Sequence, residues 1–188
     1  MKTIYNALLE HLKNDIESIV IDYHNKWIEN LKEKGANDEQ IEIAEDMKKK
    51  AVSEAYLRWF DWDKGQLKKK QGDRYAIDYP CALLRVGIGS TTDITDTAQD
   101  CKATVTLTLV FNPQSYGRTA ANAPDEIRAQ GLEPYDVIAA VYKKLQGFST
   151  DAFNPLRRRS QGELTHPDLF VYQIVFETEF EDNTAEES

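Results

Sequence analysis

The chain has 188 residues, 41% hydrophobic and 29% charged, with a net charge of −9 at pH 7. That composition fits a soluble globular protein with enough chain to bury a real core, arranged as one domain over residues 1–182. The acidic surplus argues against a nucleic-acid binder, which carries a basic face or stripe, and no run approaches the ~20 apolar residues that span a bilayer.

In chain order, Ile4, Leu8, Leu12, Ile16 and Ile19 recur at helical spacing and predict an amphipathic helix over residues 2–20. The opening MKTIYNALLEHLK is broken by polar residues every few positions, so it lacks the apolar centre of a signal peptide, and the chain reads as cytoplasmic. Trp27, Ile28 and Leu31 continue a helical period as far as Gly35, a plausible helix stop. Asn37 or Asp38 then caps a second helix carrying Ile41, Ala44, Met47 or Lys48, Ala51 and Ala55. Residues 22–57 thus read as a charged helical hairpin inserted into the domain, with a thin apolar stripe.

At Arg58 the texture changes. LRWFDWDKGQL alternates aromatic residues with aspartates before a glycine, which predicts a short strand ending at Lys64–Gly65. Lys68–Tyr75 is a polar, basic loop, and Tyr79–Gly89 is a largely apolar strand with Pro80 near its start. TTDITDTAQD reads as a polar turn region. Cys101–Phe111 is the clearest strand: Cys101, Ala103, Val105, Leu107, Leu109 and Phe111 share one face, with Thr104, Thr106 and Thr108 on the other. Asn112–Glu133 reads as a long loop with a helical turn at Pro124–Ala129, of the length that is usually functional or ordered by a partner. Pro134 suits the first position of a helix to Leu145. After Arg157–Arg159, the strand Leu169–Phe180 sets Phe170, Tyr172, Ile174, Phe176 and Phe180 on one face, with Val171, Gln173, Val175, Glu177 and Glu179 on the other. Residues 183–188 form a disordered acidic tail. The succession predicts an α+β fold: a twisted, mostly antiparallel sheet of about four or five strands with flanking helices and a helical-hairpin insertion.

Chemistry-bearing patterns are sparse. His11, His24 and His166 are far apart and lack metal-ligand spacing. Cys81 and Cys101 make neither a disulfide framework nor a zinc pattern; they read as reduced thiols, with a bridge between neighbouring strands left open. Asp61 and Asp63, at i and i+2 of a strand, project to one side and are the best paired carboxylates, suited to sharing a cation or to acid–base work. Acidic residues beside a glycine turn also commonly cap and solvate it. Gly87–Ser90 has no following helix and is not a phosphate loop. The triplet Arg157, Arg158, Arg159 is the one dense cationic spot. Two readings of it stand: a docking patch for an acidic surface, or a strand start that neutralises the Glu177/Glu179 face across the sheet.

Taken together, IYNALLEHLK, WFDWDKGQL, YPCALL, CKATVTLTLVF and PYDVIAAVYKKLQGFSTDAFNPLRRRSQGEL…LFVYQIVFETEFED resemble the tail terminator, or tail completion, proteins of tailed phages and prophages. The likeness covers roughly residues 1–20 and 58–182 and is one of overall pattern. It implies an α+β fold, no catalytic residues, no cofactor and no metal. It further implies a homo-oligomeric ring, commonly a hexamer, that caps the tail tube, stops its polymerisation and meets the head connector. Partners would be other copies, tail-tube protein and head-connector proteins, with no sequence-specific nucleic acid and no membrane. The protein would work in the bacterial cytoplasm during assembly and then in the virion tail. The 22–57 hairpin departs from the compact pattern of such proteins. An acidic chain also suits a lumen through which DNA slides. A ring needs one patch to bind a different patch on the next subunit; the candidate interface residues are Arg157, Arg158 and Arg159, with Asp61, Asp63 and Gln66 on an exposed turn nearby. The competing readings are another head–tail joining protein, a general protein-binding adaptor, and an enzyme built on Asp61 and Asp63.

Overall fold

A computed structural model describes residues 1–53, 57, 59–68, 77–183 and 185. Most of the basic loop expected at Lys68–Tyr75 and most of the acidic tail lie outside the described residues. Helix α1 (Lys2–Glu33) and helix α2 (Asp38–Ser53) precede β1 (Trp59–Trp62), β2 (Cys81–Asp93) and β3 (Gln99–Phe111); helix α3 (Asp125–Leu145) then leads to β4 (Arg157–Leu164) and β5 (Phe170–Asp182). The strands form one open, twisted sheet in the order β1-β2-β3-β5-β4. Every neighbouring pair is antiparallel except β1 with β2, which is parallel. The chain is therefore α+β, with the mostly antiparallel sheet, flanking helices and helical hairpin that the residue pattern predicts.

The alternation in β3 and β5 decides which face is covered. Ala103, Val105, Leu107, Leu109 and Phe111 of β3 join Ile174 and Phe176 of β5 in a core closed by Ile4, Leu8 and Leu12 of α1 and by Val137, Ile138, Val141 and Leu145 of α3. A smaller cluster, Cys81, Leu83, Val110 and Val171, is buried on the opposite face, where Leu67, Ile77, Tyr79 and Leu169 pack against it. Thr108 is buried at that end too, whereas Thr104 and Thr106 on the same face are only partly buried.

Four expectations are corrected. First, α1 does not stop near residue 20: it runs unbroken to Glu33, so the first arm of the hairpin is a core helix extended beyond the sheet. It ends as the glycine predicts. Gly35 takes φ of 77°, and the amides of Gly35 and Ala36 donate back to Lys32 O (3.0 Å) and Leu31 O (3.0 Å). Asn37 then caps α2 through a reciprocal pair: Gln40 N–H donates to Asn37 Oδ1 (2.9 Å) and Asn37 N–H to Gln40 Oε1 (3.1 Å).

Second, β1 runs parallel to its neighbour, and Leu67, which follows β1, and Ile77 and Tyr79, which precede β2, pack on the outer face. Third, half of TTDITDTAQD is strand: β2 runs to Asp93, β3 starts at Gln99, and the turn lies between them. Fourth, α3 begins at Asp125, so Pro134 sits inside the helix and is not its first residue. A proline there removes one helical N–H. Gly131 and Pro134 together disguise the first half of α3 as loop.

Candidate functional site

The turn after β1 is built from the residues singled out in WFDWDKGQL. Asp63 Oδ1 accepts the Gly65 amide (2.9 Å) as Gly65 takes φ of 80°, and Asp63 Oδ2 pairs with Arg85 Nη2 at 3.0 Å. Asp61 Oδ1 accepts the Trp62 amide (2.7 Å) and the Lys64 ammonium (3.2 Å). Gln66 is only 2% exposed, so it is not a surface residue of the turn. Its Nε2 donates to Trp62 O (2.8 Å) and to Asp61 Oδ2 (3.4 Å), while its Oε1 accepts the Lys64 amide (2.6 Å). A buried amide must be satisfied in this way, and here it locks the turn. The two carboxylates each hold a cation of this chain and turn amides. Among the described residues no group of three or more His, Cys, Asp or Glu side chains converges on one point.

The arginines start β4 and divide between faces. Arg158 lies over the Tyr142 ring, 3.9 Å from its centroid, on the helix side, and its guanidinium donates to Gln161 Oε1 (2.7 Å). Its amide donates to Gln146 Oε1 (3.1 Å). Arg159 Nε pairs with Glu177 Oε2 at 2.6 Å on the outer face, where Arg157 and Lys102 line the same shallow depression and Lys102 reaches Glu179 at 3.3 Å. Arg157 has no ion-pair partner among the described residues. Arg159 thus neutralises Glu177, as the strand-start reading expects, whereas Arg157 lines the depression without an ion-pair partner among the described residues.

The expected proximity of the two groups is corrected. Asp61, Asp63 and Gln66 belong to the β1 edge of the sheet and the arginines to the β4 edge, with β2, β3 and β5 between. At about 4.8 Å per strand, roughly 19 Å separates them. Within one chain they cannot form a single site.

The histidines and cysteines are placed structurally. His11 stacks on Phe148 (3.8 Å between ring centroids) with its Nε2 3.1 Å from Lys144 O. His166 Nδ1 accepts the Asp168 amide at 3.2 Å. His24 packs edge-on against Trp27, and burial, then Lys48, pulls its pKa down. Cys81 opposes Val110 and Cys101 opposes Thr91, at opposite ends of the β2–β3 pair, which leaves no bridge between them. Burial pushes the Cys81 thiol up to about 12 and raises Cys101 as well, so neither is a poised nucleophile.

One feature escaped the sequence pattern. Where β1 ends, a groove of about 430 Å³ opens between the start of α1 and the sheet, lined by Met1, Lys2, Tyr5, Asp61, Trp62, Lys64 and Val86. Trp62 is 59% exposed and Met1 54%. Burial, then Asp61, raises the Tyr5 phenol above its ordinary range. The aromatic–Asp alternation predicts a strand ending at Lys64–Gly65; β1 ends at Trp62, whose backbone pairs with Leu84 while its side chain stays exposed. No helix among the described residues is long and apolar enough to cross a membrane. No protein-family model matches the chain, and no curated protein matches it in sequence.

Proposed function

We propose that this chain is a non-enzymatic structural protein of a tailed phage or prophage, of the tail-terminator kind. Copies assemble into a ring, cap the tail tube and present a surface to the head connector. The observation that supports this reading is the opposition of two unlike sheet edges, one bearing Arg157–Arg159 and the other Asp61, Asp63 and the Trp62 groove. A contact between unlike patches is heterologous, and rotation closes such contacts into rings. The role calls for no cofactor, metal, membrane or sequence-specific nucleic acid. It places the protein in the host cytoplasm during assembly and in the virion tail afterwards. Another head–tail joining role would use the same surfaces.

A general adaptor is the second reading, favoured by Trp62, a large aromatic side chain left open beside Met1 and Tyr5. The separating experiment is the solution mass across a concentration range, by light scattering after size exclusion, with capture of tail-tube protein as its companion. A ring-sized species of about six chains that binds the tube is the expected result. A strict monomer that ignores the tube at every concentration would overturn the ring reading and leave the adaptor.

A further inference from the structure

We propose that the open edge of β2 receives the β4 edge of a second copy, so that neighbouring subunits share one continuous antiparallel sheet. The inference deepens the ring reading and rests on its self-association, not on a place in a virion.

β1 covers β2 only along Cys81–Leu84, and the Asp63 amide adds one more bond to Leu84 O (2.9 Å). β2 nevertheless continues to Asp93, and among the described residues no strand pairs with that side of it beyond Leu84. Val86–Thr92 carries neither a charge nor a proline, the usual means of blunting an edge; one bulge between Ile88 and Ser90 is the single such device. Ile88 is 41% exposed there. On the opposite side of the sheet, Gln146 occupies the Arg158 amide, so the open stretch of β4 is Arg159–Leu164. An extended strand added to such an edge is held by main-chain hydrogen bonds, with side chains setting specificity.

Direction and register follow from charge and pleat. β4 runs antiparallel to β2 within the sheet, so a second copy in the same orientation continues the alternation without a break. Antiparallel addition brings Arg157–Arg159 beside the hairpin tip that carries Asp93 and Asp96, and Glu163 beside Lys2 at the groove. Parallel addition would set the arginines against Arg85 and Glu163 against Asp93, like against like. Ser90 pairs with Lys102, and Ser160 with Val175, both on the face away from the helices. Val86 and Glu163 pair with Val105 and Tyr172, both on the helix face. Placing Ser160 opposite Ser90 keeps every pair on its own face. It also lays Glu163 over the groove formed by Val86, Lys2 and Trp62, where the partner strand covers the exposed indole.

The test is a mixed cross-link on the full chain. One preparation carries Ser90→Cys and the other Ser160→Cys; Cys81 and Cys101 are buried and do not compete. Oxidation is expected to give a covalent dimer at twice the chain mass in the mixture and little in either preparation alone. The double variant should give a ladder up to the size of the native assembly. Ile88→Lys, at an exposed position, is expected to shift the assembly to monomer with an unchanged melting temperature. If wild-type protein assembles, the mixture does not cross-link and Ile88→Lys still assembles, the shared sheet is wrong while the ring reading stands. If wild-type protein is monomeric at all concentrations and the mixture does not cross-link, the shared sheet falls, and the ring reading falls with it when the chain also ignores tail-tube protein.

Discussion

A methyl group added to Gly131 on α3 would lie 2.5 Å from the carbonyl oxygen of Gly117, and one added to Gly117 would lie 2.2 Å from the carbonyl oxygen of Ile127. The loop after β3 is therefore seated on α3 through two glycines, backbone against backbone. Gly131→Ala should improve helix propensity by about 1 kcal/mol. The overlap, at a cost of roughly 1–3 kcal/mol, should outweigh that gain and leave a net loss of up to about 2 kcal/mol. Chemical denaturation checks the sign. Gly162→Ala is the control, since nothing lies within 4 Å of its added carbon.

The hairpin rests on its caps more than on its core. Ile28 and Ala44 are buried between α1 and α2, while Ile43 and Met47 face solvent. Asn37→Ala removes one half of the reciprocal cap and should cost about 1 kcal/mol. Hydrogen exchange should show α2 amides losing protection while those of β3 and β5 keep theirs. Equal loss in both would mean that the hairpin and the sheet unfold together.

His24 gives the hairpin a pH dependence. Its folded pKa lies below the unfolded value of about 6.5, because burial and Lys48 disfavour the cation. Between those two values the unfolded chain binds more protons, so this contribution to stability is complete above the unfolded pKa and is lost as pH falls through that window. A melting series from neutral to mildly acidic pH should show the decline, and His24→Gln should flatten it. An identical slope in the variant would assign the effect to other groups.

Both thiols are buried and raised in pKa, at opposite ends of the β2–β3 pair. A thiol-specific chromogenic reagent should label neither in native protein within minutes and both after denaturation. Rapid native labelling of Cys81 would show that the segment over the outer face opens readily.

The three arginines should separate on mutation. Arg157→Glu removes an outward, unpaired cation and should weaken assembly with little change in melting temperature. Arg158→Glu breaks the contact with Tyr142 and should cost about 1 kcal/mol. Arg159→Glu sets like charges together at Glu177. Light scattering and thermal melts on the three single variants distinguish assembly from stability. If Arg157→Glu loses stability and keeps assembly, that residue is structural.

Much of this molecule could be read from side-chain spacing. The period-two runs in β3 and β5 and the period of Ile4, Leu8 and Leu12 follow from which residues water rejects, and they define the α+β class and the covered face of the sheet. The stop at Gly35 and the cap at Asn37 are equally local, because each depends on a few neighbouring backbone groups. Tertiary structure alone decided the rest. α3 tolerates Gly131 and Pro134 because packing of Val137, Ile138 and Val141 on the sheet outweighs weak propensity. Gln66 is buried because the turn folds over it. Strand order put the Asp61–Asp63 turn and the arginines on opposite edges, and the early end of β1 left β2 open. Spacing along a chain carries the hydrophobic pattern, whereas edges, neighbours and distances arise only when strands pair across it.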